Sequence, residues 1–303
     1  MIEKAFIELI SKENADIRLD EEMKSHTSFR IGGKADCLCS VKDVDSLRNI
    51  ILLCREHGVP YFILGMGSNI LVSDKGIEGL VIKLEGEFNE ITLAEDNIVR
   101  CGAGSTLARL CTFARNMSLG GLEFAWGIPG SVGGAIYMNA GAYGGEIKDT
   151  VISVDYMDKD GNIRRCSGEE LDFSYRHSAF TDTENIIIRG SFRLEPGSHD
   201  AIVERMQYLM DQRKTKQPIN HPSAGSVFKR PENGYAAALI EECGLKGYEY
   251  GGAQVSPKHA GFIVNDKGAS AADVLGLIDH IKKEVREKKN VELCCEVRFI
   301  GRV

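Results

Sequence analysis

Two glycine-dense stretches and one basic run hold most of the residues of this 303-residue chain that could do chemistry. Gly120–Glu146 reads GGLEFAWGIPGSVGGAIYMNAGAYGGE. Glycine is costly inside helices and central strands, because it loses the most backbone entropy on folding. A backbone without Cβ atoms can instead touch a ligand and aim its N–H groups at an anion such as a pyrophosphate. A set of tight turns in a β domain accounts for the same composition. The second stretch, Gly65–Met66–Gly67–Ser68–Asn69, lies between strand-like Tyr61–Leu64 and strand-like Ile70–Val72. The order is strand, phosphate-type turn, strand. A dinucleotide-binding unit needs strand, turn, helix, and Ile70 stands where the third glycine of G-x-G-x-x-G belongs. No G-x-x-x-x-G-K-[ST] occurs, which excludes a P-loop.

Residues 213–230 contain Arg213, Lys214, Lys216, Lys229 and Arg230 and no acid, in a chain of net charge −7. Such a patch attracts phosphorylated ligands, although a solvated helix end and loop has the same composition. Arg176, in Tyr175–Phe180, is of the type that clamps a carboxylate, though a loop arginine is most often solvated. Ser226 follows a glycine but lacks the pattern G-x-S-x-G, so it reads first as a turn residue. Along Val291–Ile300 the residues Val291, Leu293, Cys295, Val297 and Phe299 alternate onto one apolar face. Glu296 falls on the other, with solvent as its default surroundings.

The same composition excludes several classes. The negative net charge argues against a general nucleic-acid binder. No segment approaches the ~18 apolar residues of a membrane span. The N-terminus has no basic n-region and reads as a helix with Ile2, Phe6, Leu9 and Ile10 on one side. The seven histidines form no metal-binding spacing. The nine cysteines include no C-x-x-C pair and read as reduced cytosolic thiols, mostly small core hydrophobes.

These residues need elements to position them. A strand from Cys37 to Val41, a helix capped by Asp43, and the strand Tyr61–Leu64 predict a βαβ lobe over 1–78. Val44, Leu47, Ile50, Ile51 and Cys54 recur along that helix, Gly58 ends it and Pro60 prevents its continuation. Short strands at 80–84, 91–93 and 97–101, a helix near 105–117, a hairpin turning at Asp160–Gly161, and a strand at 185–194 predict an α+β region over 79–196. Pro196–Gly197 marks the next boundary. Helices near 199–213, 234–243 and from Ser270, with a closing strand at 291–300, fill 197–303. Ser270 and Asp273 read as a capping box.

The joint pattern resembles the flavoenzymes of the UDP-N-acetylenolpyruvoylglucosamine reductase (MurB) family. The matching pieces are Thr27–Asp36, Gly65–Asn69, Gly127–Ala135, Asn139–Gly144, Tyr175–Ser178, Lys216–Pro218, Gly225–Lys229 and Cys295–Val297. They run in the family's order over nearly the whole chain. The resemblance implies an α+β protein: a FAD-binding fold of the vanillyl-alcohol-oxidase (PCMH) type in two lobes, plus a C-terminal α+β substrate-binding domain. It implies noncovalent FAD, gripped through Gly65, Gly67, Ser68, Asn69, Gly127, Ile128, Pro129, Gly130, Ser131, Gly133, Gly134, Asn139 and Gly141, with Arg213 near the flavin. Lys216 and Lys229 would face the substrate diphosphate.

The implied reaction takes electrons from NADPH and reduces UDP-N-acetylglucosamine enolpyruvate to UDP-N-acetylmuramate, in the cytoplasm and for peptidoglycan synthesis. Hydride from flavin N5 reaches C3 of the enolpyruvyl group, charge develops as an enolate, and C2 takes a proton. By resemblance, Arg176 stabilises the enolate, Ser226 is the general acid and Glu296 helps polarise the carboxylate. No nucleic acid, membrane or obligate protein partner is implied. Arg230 stands where many relatives have Asn. The C-terminal part resembles the shorter subtype without an inserted tyrosine loop. Another FAD oxidase on the same scaffold, or a nucleotide-binding module, would share the loops but not Arg176, Ser226 and Glu296.

Overall fold

The computed structural model describes residues 2–232 and 234–302. In chain order its main elements are α1 (Lys4–Ile10), β1 (Ala15–Glu22), β2 (Lys34–Val41), α2 (Val44–Glu56), β3 (Tyr61–Leu64), β4 (Ile70–Val72), β5 (Ile77–Leu84), β6 (Ile91–Leu93) and β7 (Ile98–Gly102). Then follow α3 (Leu107–Asn116), α4 (Val132–Tyr137), β8 (Val151–Met157), β9 (Ile163–Ser167), β10 (Ile186–Arg193) and α5 (His199–Lys216). The chain ends with α6 (Ala236–Glu242), β11 (Glu249–Tyr250), β12 (Ala253–Val255), β13 (Ile263–Asn265), α7 (Ala271–Lys289) and β14 (Arg298–Ile300).

These elements form two compact units. One comprises Met1–Arg18, Cys37–Met66 and Gly79–Gln212; the other comprises Leu19–Asp36, Gly67–Glu78 and Arg213–Val303. Both units are discontinuous in sequence, so the chain passes between them several times.

The first unit contains helix α2 and strand β3. Asp43 Oδ1 accepts from the Ser46 N–H and caps α2 at its N-terminus. The helix buries Leu47, Ile50, Ile51 and Cys54, the stripe its spacing predicts. Each such Ile or Leu contributes roughly 1.5–3 kcal/mol by leaving water. Strand β3, which follows α2, pairs in parallel with β5. The order of that sheet is β1-β2-β5-β3. A second, five-stranded sheet has the order β9-β8-β10-β7-β6, with every pair antiparallel. One apolar core continues beneath both sheets, from Phe6 to Met206.

The β8–β9 hairpin turns at Asp158–Asn162, where Asp158 Oδ1 accepts from the N–H groups of Asp160 and Asn162. The Asn162 N–H bond and the Arg164 guanidinium hold its carboxyl down at about 2. The folded value lies below the ordinary one. The stabilisation is therefore complete above the ordinary carboxylate range and is lost as pH falls toward about 2. Asp158→Asn should flatten the fall of Tm between pH 5 and 2 relative to the parent. An unchanged slope would remove Asp158 from the acid transition.

The second unit is built on α7. Ser270 Oγ accepts from the Asp273 N–H and the Asp273 side chain accepts in return, the capping box read from sequence. Asp74 adds two further bonds, from the Ala271 and Ala272 N–H groups. Val274, Leu277, Ile278, Ile281 and Val285 are buried along one stripe of the helix. They pack in a core with Phe29, Leu71, Val227 and Ile263.

The closing strand is shorter than expected. Among the described residues only Arg298–Ile300 is strand, paired in parallel with β4. Upstream, Cys295 forms an isolated bridge with Phe228. Val227 O accepts from both the Glu296 and the Val297 N–H, at 2.8 and 3.4 Å, so two residues oppose one. The chain then changes partner, from the Phe228 segment to β4. That break is why Leu293 and Val297 are buried while Phe299 is exposed. The cysteines follow expectation: seven are buried, and burial pushes the thiols of Cys39, Cys54, Cys101 and Cys111 up to about 12. Thiols in that state are inert core groups. No described helix is long and apolar enough to cross a membrane.

Candidate active site

The glycine stretch in the first unit contains a helix, against the composition argument. Ser131 Oγ accepts from the Gly134 N–H and starts α4, and Gly133 and Gly134 occupy its first turn. The helix forms because its other residues are well buried: Val132, Ala135 and Ile136 join the core. Its start is sewn to the entry of α3 through Leu107 N–H to Gly130 O and Val132 N–H to Ser105 O, at 2.9 and 2.8 Å. Gly133 donates to Ala103 O, and a Cβ on Gly133 would come within 3.0 Å of the Ala103 Cβ. Gly134 is exposed, and among the described residues a Cβ there would meet Ser131 Oγ, at 3.2 Å.

Gly65, at the end of β3, packs directly on this loop. A Cβ at Gly65 would overlap Ser131 Oγ. The start of the Gly65–Asn69 turn and the beginning of α4 are thus one surface, bare of side chains at Gly65, Gly133 and Gly134. Gly127, Ile128 and Gly130 are half-buried beside it and Pro129 is exposed. A helix start stripped of side chains can receive an anionic group.

Arg176 belongs to the same unit. It sits in a tight turn with a left-handed backbone, φ 55°. Ser174 and His177 close the turn with a reciprocal pair of N–H···O bonds, both 3.2 Å. The guanidinium lies over the Tyr175 ring, 4.9 Å from its centroid, and Nη2 donates to Gly141 O at 3.3 Å. Glu146 is its anionic neighbour. Burial raises the Glu146 carboxyl, but bonds from Lys148 and Asn139 and the Arg176 charge leave it below its ordinary value.

Asn139 is wholly buried. Its Nδ2 donates to Ser174 O at 2.9 Å and to Glu146 Oε2 at 3.1 Å, and its Oδ1 accepts from the Lys148 N–H at 3.0 Å. Both polar atoms of this side chain bond to protein.

The other named residues lie in the second unit. Gly67 is left-handed at φ 62°, and a Cβ there would overlap His26 O. Its carbonyl accepts from the Ser28 N–H. Ser68 is half-buried. Asn69 Nδ2 donates to Glu296 O at 3.3 Å, and Asn69 O accepts from the Arg298 N–H. Ser226 is extended and bridges Phe262, and Oγ donates to Phe228 O at a long 3.4 Å. Its neighbour Val227 takes the Glu296 N–H, so Ser226 and Glu296 sit on adjoining segments. Both are half-buried.

Arg213 is only 8% exposed, on the helical line of Ile202, Met206 and Leu209. Lys216 and Lys229 are exposed. The Arg230 guanidinium lies 4.2 Å over the Tyr235 ring.

Sequence reasoning missed the bracing of Arg176 by Asn139 and Tyr175. One signal was present: Asn after a short apolar helical run is a helix C-terminal residue.

Relatives span this whole arrangement. The FAD binding domain family matches residues 35–167. The C-terminal domain family of UDP-N-acetylenolpyruvoylglucosamine reductase matches residues 217–300. The UDP-N-acetylenolpyruvoylglucosamine reductase of Clostridium botulinum (strain 657 / Type Ba4) is 48% identical over 95% of this chain and 94% of its own. The chain belongs to the UDP-N-acetylenolpyruvoylglucosamine reductase family. The Clostridium novyi (strain NT) reductase is 47% identical over 99% of this chain and 96% of its own. The solved Thermus caldophilus reductase aligns with a TM-score of 0.80 at 36% identity, covering 95% of this chain and 99% of that one. Berberine bridge enzyme shares the fold alone, with a TM-score of 0.50 and 17% identity over 65% of this chain and 44% of its own. This family member is therefore an enzyme, an FAD-dependent oxidoreductase with a PCMH-type FAD-binding fold.

Proposed function

We propose that the enzyme reduces UDP-N-acetylglucosamine enolpyruvate to UDP-N-acetylmuramate, with NADPH as reductant, in cytoplasmic peptidoglycan precursor synthesis. The observation that carries it is the backbone pairing that places Ser226 and Glu296 on adjoining segments, in a chain whose relatives are named for this reduction over nearly their full length.

FAD fits the residues present. The bare surface of Gly65, Ser131, Gly133 and Gly134 would hold the pyrophosphate, supported by Gly127, Ile128, Pro129 and Gly130, with Gly67, Ser68 and Asn69 on the adjoining turn. When bound, FAD supplies the hydride chemistry that links NADPH to the enolpyruvyl carbon. The protein's own groups do the rest. Arg176 neutralises charge that builds on the carboxylate side of the substrate. Its stacking on Tyr175 and its bond to Gly141 O keep the guanidinium in place. Ser226 holds the proton for C2, and its 3.4 Å bond to Phe228 O leaves the hydroxyl little committed. Glu296 orients the carboxylate end. Lys216 and Lys229 attract the diphosphate as exposed point charges. Arg213, buried at the end of α5, would lie near the flavin.

The test is the anaerobic visible spectrum of the FAD-loaded enzyme. The flavin band should bleach with NADPH and return on addition of the enolpyruvyl substrate. Bleaching without return would overturn the substrate, and failure to bind FAD would overturn the cofactor.

A further inference from the structure

Asn139 ends α4 in a Schellman arrangement. Its backbone is left-handed at φ 41°, its N–H donates to Ile136 O at 3.1 Å, and the Ala140 N–H donates to Ala135 O at 2.8 Å. Asparagine is one of the few residues that takes this conformation readily. The same residue then sends its buried amide across to the turn that carries Arg176. Tyr175 is exposed, and Arg176 is itself left-handed, a conformation that costs a non-glycine residue roughly 1–2 kcal/mol. Three bonds reach the turn from one short segment: Asn139 Nδ2 donates to Ser174 O, Arg176 Nη2 donates to Gly141 O, and Ser178 Oγ donates to Tyr137 O at 2.8 Å. Asp172 Oδ2 also lies 3.2 Å from His177 Nε2. Asn139 also holds Glu146, the anionic neighbour of Arg176, and the Lys148 N–H.

We propose that Asn139 is a positioning residue: it locks the Ser174–His177 turn, and Glu146 beside it, so that the Arg176 guanidinium is presented in one orientation to the substrate. The inference rests on the role given to Arg176 above. A misplacement of about 1 Å in such a group costs on the order of 10²-fold in rate.

Asn139→Gly keeps the left-handed backbone and removes the amide. Asn139→Asp keeps the acceptor for Lys148 but loses both donors, and serves if the glycine variant folds poorly. In the FAD-loaded enzyme, either variant should slow flavin reoxidation by the enolpyruvyl substrate about 10²-fold. Reduction by NADPH, read at full FAD occupancy, should slow by a clearly smaller factor. Added to Arg176→Ala, the substitution should do almost nothing more, because residues that act as a unit are not additive. Hydrogen exchange at the His177 amide, which bonds Ser174 O, should quicken at least about tenfold, with α2 and α3 amides unchanged.

Full additivity with Arg176→Ala, or equal slowing of both half-reactions, overturns the positioning role. If Arg176→Ala leaves reoxidation untouched, it is the reading of Arg176 that fails. The His177 exchange rate still decides whether Asn139 holds the turn, and an unchanged rate overturns the inference on its own.

Discussion

Ser226→Ala is expected to leave NADPH-driven bleaching of the flavin unchanged and to slow the return of colour with the enolpyruvyl substrate about 10²–10⁴-fold, the range for a positioned proton transfer. The prediction separates chemistry from folding because the hydroxyl does little structural work. Its bond to Phe228 O is 3.4 Å long and the residue is half-buried, so its loss should cost less than about 1 kcal/mol of stability. The backbone of the segment is held independently, by Val227 N–H to Gly261 O and by the Glu296 and Lys229 N–H bonds. Melting temperature and FAD affinity should therefore match the parent. A serine hydroxyl is a weak acid, so the rate must depend on cationic neighbours. Lys229→Ala should then lower the same half-reaction by a smaller factor. Parent-like turnover by Ser226→Ala would end the assignment of the proton donor.

Much of this was legible in the sequence, and the failures have physical causes. The α2 stripe, the Asp43 cap, the Ser270–Asp273 box and the Asp160–Gly161 turn are local devices, complete within about ten residues, and each stands where its pattern predicts. The closing strand failed because alternation assumes one continuous partner, whereas this segment leaves Phe228 for β4. The helix within the glycine run failed because propensity is a weak prior against burial of Val132, Ala135 and Ile136. The side-chain contacts of Asn139 were out of reach for a different reason. Its role depends on Ser174, Glu146 and Lys148, and nothing in the neighbouring sequence states that a turn 35 residues on will be brought against it.

The glycines divide into two kinds that composition cannot separate, and two substitutions should separate them. Gly67→Ala should destabilise the protein by about 2–5 kcal/mol even without cofactor. A left-handed backbone costs alanine roughly 1–2 kcal/mol, and the added methyl overlaps His26 O and lies 2.9 Å from Thr27 Cα, an overpacking worth about 1–3 kcal/mol. Its carbonyl also accepts the Ser28 N–H, so the backbone cannot shift freely. Gly134→Ala should behave in the opposite way. The position is helical and exposed, where alanine gains about 0.5–1 kcal/mol over glycine. The nearest neighbour among the described residues is Ser131 Oγ at 3.2 Å, the cap of α4, whose displacement costs about 1 kcal/mol. Apo stability should therefore stay within about 1 kcal/mol of the parent in urea unfolding. FAD affinity should nevertheless fall tenfold or more, about 1.4 kcal/mol, because the methyl stands on the surface offered to the pyrophosphate. An unchanged FAD affinity for Gly134→Ala would mean that α4 begins with glycine only to let Ser131 reach its cap. The pyrophosphate would then have to be held through Gly65 and the Gly127–Gly130 backbone instead.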